Sequence, residues 1–154
     1  MRWRDFVAVF RRAVPPPAAP AAQQADLVEI FKAERRLELK RGGRTLRTYR
    51  VSLGFAPLTH KQREGDGRTP EGLYAIDARN PRSSFHLSLR VSYPDAEDRA
   101  RAVARGEDPG GDIFIHGLPN GWRDWTAGCI AVTDAEIREV WSLVPTGVPV
   151  RIHP

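Results

Sequence analysis

The sequence predicts a mostly β domain of the α+β class, and three observations predict it. Short runs of β-branched and aromatic residues recur between Gly, Pro and Asp turns, only two stretches carry helical spacing behind a capping residue, and an Ala/Pro segment near the start offers no core side chains. At 154 residues the chain has room for one such domain. Hydrophobic residues at 41% and charged residues at 28% give a globular balance, neither disordered nor membrane-embedded.

Residues 1–25 read as an N-terminal segment and linker. The start Met1-Arg2-Trp3-Arg4 is basic, but Arg11 and Arg12 stop the apolar stretch Phe6-Val7-Ala8-Val9-Phe10. That stretch is too short for a spanning helix and short for a signal peptide. Pro15-Pro16-Pro17 and the Ala/Pro/Gln residues after it favour an extended, semi-rigid chain. The folded domain is therefore expected over 26–154. Residues 27–31, 37–40 and 45–52 read as strands, with Arg41-Gly42-Gly43-Arg44 as a tight hairpin turn. Residues 54–70 are loop, ending in Thr69-Pro70-Glu71-Gly72 ahead of a strand over 73–76.

A further strand is expected over 87–93, and Asp95 caps a polar helix running to about residue 105. Asp108-Pro109-Gly110-Gly111 breaks that helix. Ile113-Phe114-Ile115 is a buried strand that ends at His116-Gly117, so the histidine is expected where the strand opens into a loop over 118–127. Gly128-Cys129-Ile130-Ala131-Val132 follows, and Thr133 with Glu136 forms a capping box for a helix through residue 143. Ile137, Val140, Trp141 and Val144 recur at helical spacing and are its core face. Residues 148–152 close a sheet.

The single cysteine excludes an internal disulfide and a zinc site of several thiolates. What remains is a lone thiol, either buried packing or a nucleophile. A thiol attacks as thiolate and needs a base. His116, at a strand end thirteen positions before Cys129, is the best candidate. His60, His86 and His153 read as ordinary surface or partly buried residues. The Gly117 carbonyl is adjacent to His116 and can hold its tautomer. Gly128 lets the backbone come close, so the amides of Gly128 and Cys129 are candidate oxyanion donors.

Ile115-His116-Gly117 followed by Thr126-Ala127-Gly128-Cys129-Ile130, with Thr69-Pro70-Glu71-Gly72 upstream and Ser92-Tyr93-Pro94 between, closely resembles the L,D-transpeptidase catalytic domain of the YkuD family, over roughly residues 27–152. The resemblance implies a mixed, mostly β sandwich-like fold with two short helices, and a Cys/His pair completed by a backbone carbonyl. Carried over by position, Cys129 is the nucleophile, His116 the base, and the carbonyl that of Gly117. It also implies peptidoglycan stem peptides as substrate, a thioester intermediate, acylation by carbapenem-type β-lactams, no metal or organic cofactor, and work in the cell envelope or periplasm, for which the visible N-terminus supplies no clear signal peptide. Two departures bear on substrate choice: Ala131 stands where the family usually has an arginine, and the segment between His116 and Cys129 is shorter than in many members. The small residue is similar to the branch that includes murein amidases. Amine acceptors give transpeptidation and water gives an amidase or L,D-carboxypeptidase.

Other residues carry two readings each. Thr126 supports the cysteine loop or stabilises a turn. Trp122 and Trp125 wall a substrate channel or pack the loop. Tyr93 and Arg63 contact the peptide, or Tyr93 is core and the charges over 61–68 are a solvated loop. Glu71, after a proline, reads as structural. The net charge of +5 and pI near 10 support a rival class, a basic module that binds cell wall or nucleic acid without turnover. Nucleic acid is not expected, because no recognition helix or arginine-interleaved aromatic stripe stands out.

Overall fold

The computed structural model describes residues 14–83, 86–118 and 124–154. Strands β1 (Leu27–Phe31), β2 (Arg36–Arg41) and β3 (Arg44–Arg50) form the expected antiparallel meander. Val28, Ile30, Leu37 and Leu39 alternate into the core, as the period of two dictates. Gly42 and Gly43 both take positive φ, 56° and 80°, which a two-residue hairpin needs to follow the strand twist.

The last strand, β8 (Pro149–His153), runs parallel to β1 and antiparallel to β4 (Gly72–Ser83), so the end of the chain lies between them. Strand β4 is far longer than residues 73–76. Its first residues pair with β8 and the rest pair with β5 (His86–Val91). The stretch Asp77-Ala78-Arg79-Asn80-Pro81-Arg82-Ser83 is polar and contains a proline, which hid it from periodicity. It is an exposed ribbon whose register shifts between Asn80 and Ser83, around the residue that has no N–H to give.

After β5 come helix α1 (Ala96–Ala104), strands β6 (Phe114–Leu118) and β7 (Ile130–Thr133), and helix α2 (Asp134–Leu143). The described strands form one mixed sheet in the order β3-β2-β1-β8-β4-β5-β6-β7. Both halves feed one core, the sandwich-like mostly β arrangement expected. Asp95 and Thr133 cap their helices through complete capping boxes, with Asp98 and Glu136 reaching back. Against expectation, β6 does not end at His116. Parallel pairing with β7 continues to Leu118, so the histidine lies inside the ladder.

Helix α2 packs across β5, β6 and β7 with Ile137 and Val140 fully buried. Its C-terminal end holds neighbours on both sides. Arg79 donates to the carbonyls of Trp141 and Val144 at 2.7 and 2.9 Å, with its guanidinium 3.9 Å from the Trp141 ring centroid. Ala19 and Ala25 donate backbone N–H bonds to Ser142 and Leu143, so the Ala/Pro stretch ahead of Asp26 is tied to the domain.

Helix α2 starts directly at the end of β7, so its cap fixes how it sits on the strands. Thr133→Ala is expected to cost about 1 kcal/mol in urea unfolding, with Thr133→Ser recovering most of it.

Candidate active site

The register of β6 and β7 creates the site. His116 lies opposite Ala131 in the parallel ladder and opposite Ser88 in the antiparallel one; Asn80 continues the row beyond Ser88 and Ser52 beyond Ala131. Residues opposite one another share a face, and so do residues two apart on a strand. Cys129, two before Ala131, therefore falls diagonally beside His116 and next to Phe114. The other face carries Leu89, Ile115 and Ile130, all fully buried. A cleft of about 350 Å³ opens over the polar face, lined by Asn80, Arg82, Ser88, Asp112, His116 and Cys129 among others.

His116 is 3% exposed, and its Nδ1 lies 2.7 Å from the Gly117 carbonyl. A carbonyl only accepts, so the proton is on Nδ1 and Nε2 carries the lone pair, the form a base requires. Trp125 packs edge-on against the imidazole, with centroids 6.2 Å apart. The Cys129 sulfur accepts the Phe114 N–H at 3.4 Å and donates to the Asp112 carbonyl at 3.3 Å.

The cysteine turn rests on backbone too close for side chains. Gly128 has φ +126°, and a Cβ there would lie 2.6 Å from the Arg68 carbonyl oxygen. At Gly54 it would lie 2.0 Å from the Gly67 carbonyl oxygen. Two hydroxyls tie these pieces together. Thr126 Oγ1 donates to the Cys129 carbonyl at 2.7 Å and accepts the Gly128 N–H at 3.2 Å. Thr69 Oγ1 donates to the Gly128 carbonyl at 2.9 Å and accepts the Gly54 N–H at 3.2 Å. The Gly128 amide is thus committed inside the turn, which removes it as a ready oxyanion donor. Thr126 supports the loop through its hydroxyl.

Burial is the largest influence on both candidate groups. It pushes the Cys129 thiol up, helped by the negative charge of Asp112 and opposed by the Phe114 N–H and Lys61. It pushes His116 down, opposed by the Gly117 carbonyl and by Asp134. Both directions favour a neutral thiol beside a neutral imidazole at pH 7, since burial disfavours the charged form of each.

Several expectations need correction. Tyr93 is 4% exposed, and its hydroxyl donates to the Pro109 carbonyl at 2.7 Å, so it is core and not a wall of the cleft. Arg63 is exposed and does not line the cleft; its N–H and carbonyl serve the turn made by Asp66 and Lys61. That turn is not a merely solvated loop: Lys61 and Asp66 form an ion pair at 2.8 Å with both side chains 2% exposed. Trp122 lies outside the described residues. Glu71 is structural, as the sequence indicated, accepting from the buried Lys32 at 3.0 Å. His60 is part of a network, accepting the Glu71 N–H and donating to Asp98.

Sequence reading missed Asn80, Arg82, Ser88 and Asp112. Only Asp112 had a usable signal, because counting back by twos from His116 through Phe114 reaches it. Among the described residues no cluster of His, Cys, Asp and Glu is suited to hold a metal ion.

The model of the YkuD family, the L,D-transpeptidase catalytic domain, matches residues 25–152. Over 124 residues the chain is 32% identical to YafK of Escherichia coli K12, described as a candidate L,D-transpeptidase, covering 76% of this chain and 46% of that protein. Among solved structures, the helical cell shape determining protein Pgp2 from Campylobacter jejuni superposes with a TM-score of 0.67 at 24% identity, covering 82% of this chain and 46% of that one. The L,D-transpeptidase LdtMt1 in complex with imipenem gives 0.55 at 18% identity, covering 82% and 58%. These structures support the fold alone. The chain spans about half the length of YafK and Pgp2.

Thr69→Val keeps the shape but strands the Gly128 carbonyl and the Gly54 N–H. It is expected to destabilise the protein by about 1–3 kcal/mol in urea unfolding, with Thr69→Ser close to the parent. With the thiol pushed up, alkylation of Cys129 by iodoacetamide should climb by roughly tenfold per pH unit from about pH 6 to 8. A rate that levels off below about pH 7 would show a thiolate–imidazolium pair at rest instead.

Proposed function

The chain belongs to the L,D-transpeptidase catalytic domain family, and from that premise we propose that Cys129 is the nucleophile and His116 the base of a peptidoglycan acyltransferase working through a thioester. The observation that carries this reading is the ladder itself: adjacent strands bring the thiol and an imidazole with a defined tautomer to one face, in one cleft.

The sulfur attacks a stem-peptide carbonyl at the L-centre of a meso-diaminopimelate residue joined to a D-amino acid. As the C–S bond forms, the thiol proton passes to Nε2 of His116, and Nδ1–H stays on the Gly117 carbonyl, which steadies the imidazolium. The Cys129 N–H is the donor assigned to the oxyanion, with Gly128 shaping the turn through its positive φ. The imidazolium then protonates the departing amine of the D-amino acid, the C–N bond breaks, and the thioester remains. Trp125, 42% exposed and edge-on to His116, packs against the base and is not among the residues that line the cleft.

An amine then resolves the thioester to give a cross-link or an exchanged terminus. Water in its place gives an L,D-carboxypeptidase or amidase. Ala131, directly opposite His116, offers no guanidinium where the family usually has one, which keeps the amidase-like reading alongside transpeptidation. Such a reaction belongs in the cell envelope, and no helix among the described residues is long and apolar enough to cross a membrane.

Intact-mass analysis after incubation with a carbapenem tests the assignment. One covalent adduct is expected on the unmodified protein and none on Cys129→Ala, with acylation of His116→Ala slowed by about 10²–10⁴-fold. An adduct that survives in Cys129→Ala would remove the nucleophile.

A further inference from the structure

Two charged side chains line the cleft among the described residues, and the reaction so far uses neither. Asp112 stands beside the sulfur, its carbonyl accepting the thiol at 3.3 Å. Arg82 comes from the β4 ribbon. Among the described residues neither makes an ion pair, and Arg90, on which the charge of Asp112 acts, is held by Asp77 at 2.7 Å. Asp112 is an exposed residue at the rim of this cleft.

The location of this carboxylate is informative because it works against the thiol. Its negative charge helps to push Cys129 up, the wrong direction for a nucleophile. Nor does the backbone need it. Asp112 has φ 54°, a conformation that asparagine adopts as readily, without charge. A carboxylate at this spot is useful in a step where a cation must approach the sulfur, and the second half-reaction has one, because an amine acceptor arrives as an ammonium at neutral pH.

Resting on the transpeptidase reading above, we propose that Asp112 and Arg82 form a subsite for the zwitterionic head of an α-amino acid, the acyl acceptor, with its ammonium at Asp112 and its carboxylate at Arg82. A free D-amino acid and the D-centre of diaminopimelate in a neighbouring stem both present this head. Bound there, the ammonium gives one proton to Nε2 of His116. The freed nitrogen lone pair attacks the thioester carbon, the C–S bond breaks, and the nitrogen keeps the acyl group. The sulfur leaves with its bonding pair and takes the proton that the nitrogen sheds, and His116 returns its own to solvent. Asp112 and Arg82 act in binding, so their loss is felt in acceptor KM and in the share of thioester lost to water.

The test uses the full chain with a tetrapeptide donor and three acceptors: D-methionine, D-methioninamide and a second tetrapeptide. Asp112→Asn keeps the backbone and removes only the charge. It is expected to raise KM for D-methionine and for the tetrapeptide by about tenfold and shift product toward hydrolysis. Arg82→Gln is expected to raise KM for D-methionine alone of the two methionine acceptors, because the amide has no carboxylate to lose. A larger effect on the free amino acid or on the tetrapeptide identifies the source that the subsite favours. Both variants transferring to D-methionine with the parent's KM and hydrolysis ratio, while still acylating, would overturn the subsite. Absence of a carbapenem adduct on the parent would overturn the transpeptidase reading and the subsite with it.

Discussion

The structure depends on one pairing, the parallel ladder between β6 and β7. Parallel strands cannot be joined by a tight turn, so the chain must leave after Leu118 and come back to start β7 at Ile130. The return path ends in the Thr126–Cys129 turn. Because side chains alternate with a period of two, a shift of one residue in this register would turn the thiol to the face where Ile115 and Ile130 pack under α2. The apolar side of the same strands resists that slip. The hydrophobic pattern thus aims the cysteine and the histidine as well as filling the core, and the Thr133 cap secures α2 against the strands from the following residue.

Holding the cysteine turn in place takes more than the ladder. The loop over 54–70 closes on it at Gly54 and Arg68, backbone to backbone, and closes on itself where Gly54 meets Gly67. Such close approach demands a loop of fixed shape, and buried charges fix it. Lys32 gives its three protons to Thr59, Thr69 and Glu71, so the ammonium is fully satisfied. Asp66 accepts from Lys61 and from the amides of Gln62, Arg63 and Arg68. These hydrogen bonds hold its carboxyl at about 2 despite burial. From Asp66 the chain of support runs through Arg68 and Thr69 to Gly128, then to Cys129. On the other side, Asp124 accepts the Leu53 N–H and clasps Arg35, fixing the entry to the turn.

This explains what the sequence made legible. The hairpin glycines, the Asp95 cap, the Thr133–Glu136 capping box, the Ile113-Phe114-Ile115 run and the adjacency of Gly128 and Cys129 are local signals, and each has its physical cause within a few residues. Thr126 was readable for the same reason. The long β4 and the core position of Tyr93 were not, because each is decided by a partner far away in sequence; the buried Lys61–Asp66 pair and the committed Gly128 amide have partners only five and two residues away, and were hidden because burial and loop shape are set by the rest of the fold. A lysine and an aspartate among arginines and glutamates look like solvated surface until the fold supplies their partners and removes water. Tyr93 beside Pro94 gave no alternation to show which way its ring faced; the Pro109 carbonyl, sixteen positions on, settles it.

The electrostatics of the pair bear on how such a site works. A buried ion pair of thiolate and imidazolium would lose solvation for both charges, and here burial raises one group and lowers the other, so charge separation at rest is disfavoured from both sides. The neutral pair avoids that cost and leaves the sulfur less open to oxidation, since the thiolate is the reactive form. On the proposed mechanism the charge is then created only as the sulfur attacks. It passes to the substrate oxygen facing the Cys129 amide while the imidazolium is steadied by the Gly117 carbonyl. Stabilisation concentrated in the transition state accelerates the step, whereas stabilisation already present in the free enzyme does not. An anion at Asp112 raises the energy of the resting thiolate further, which fits a site that keeps its nucleophile protonated until an acyl donor is bound and then needs a cation brought to the same sulfur.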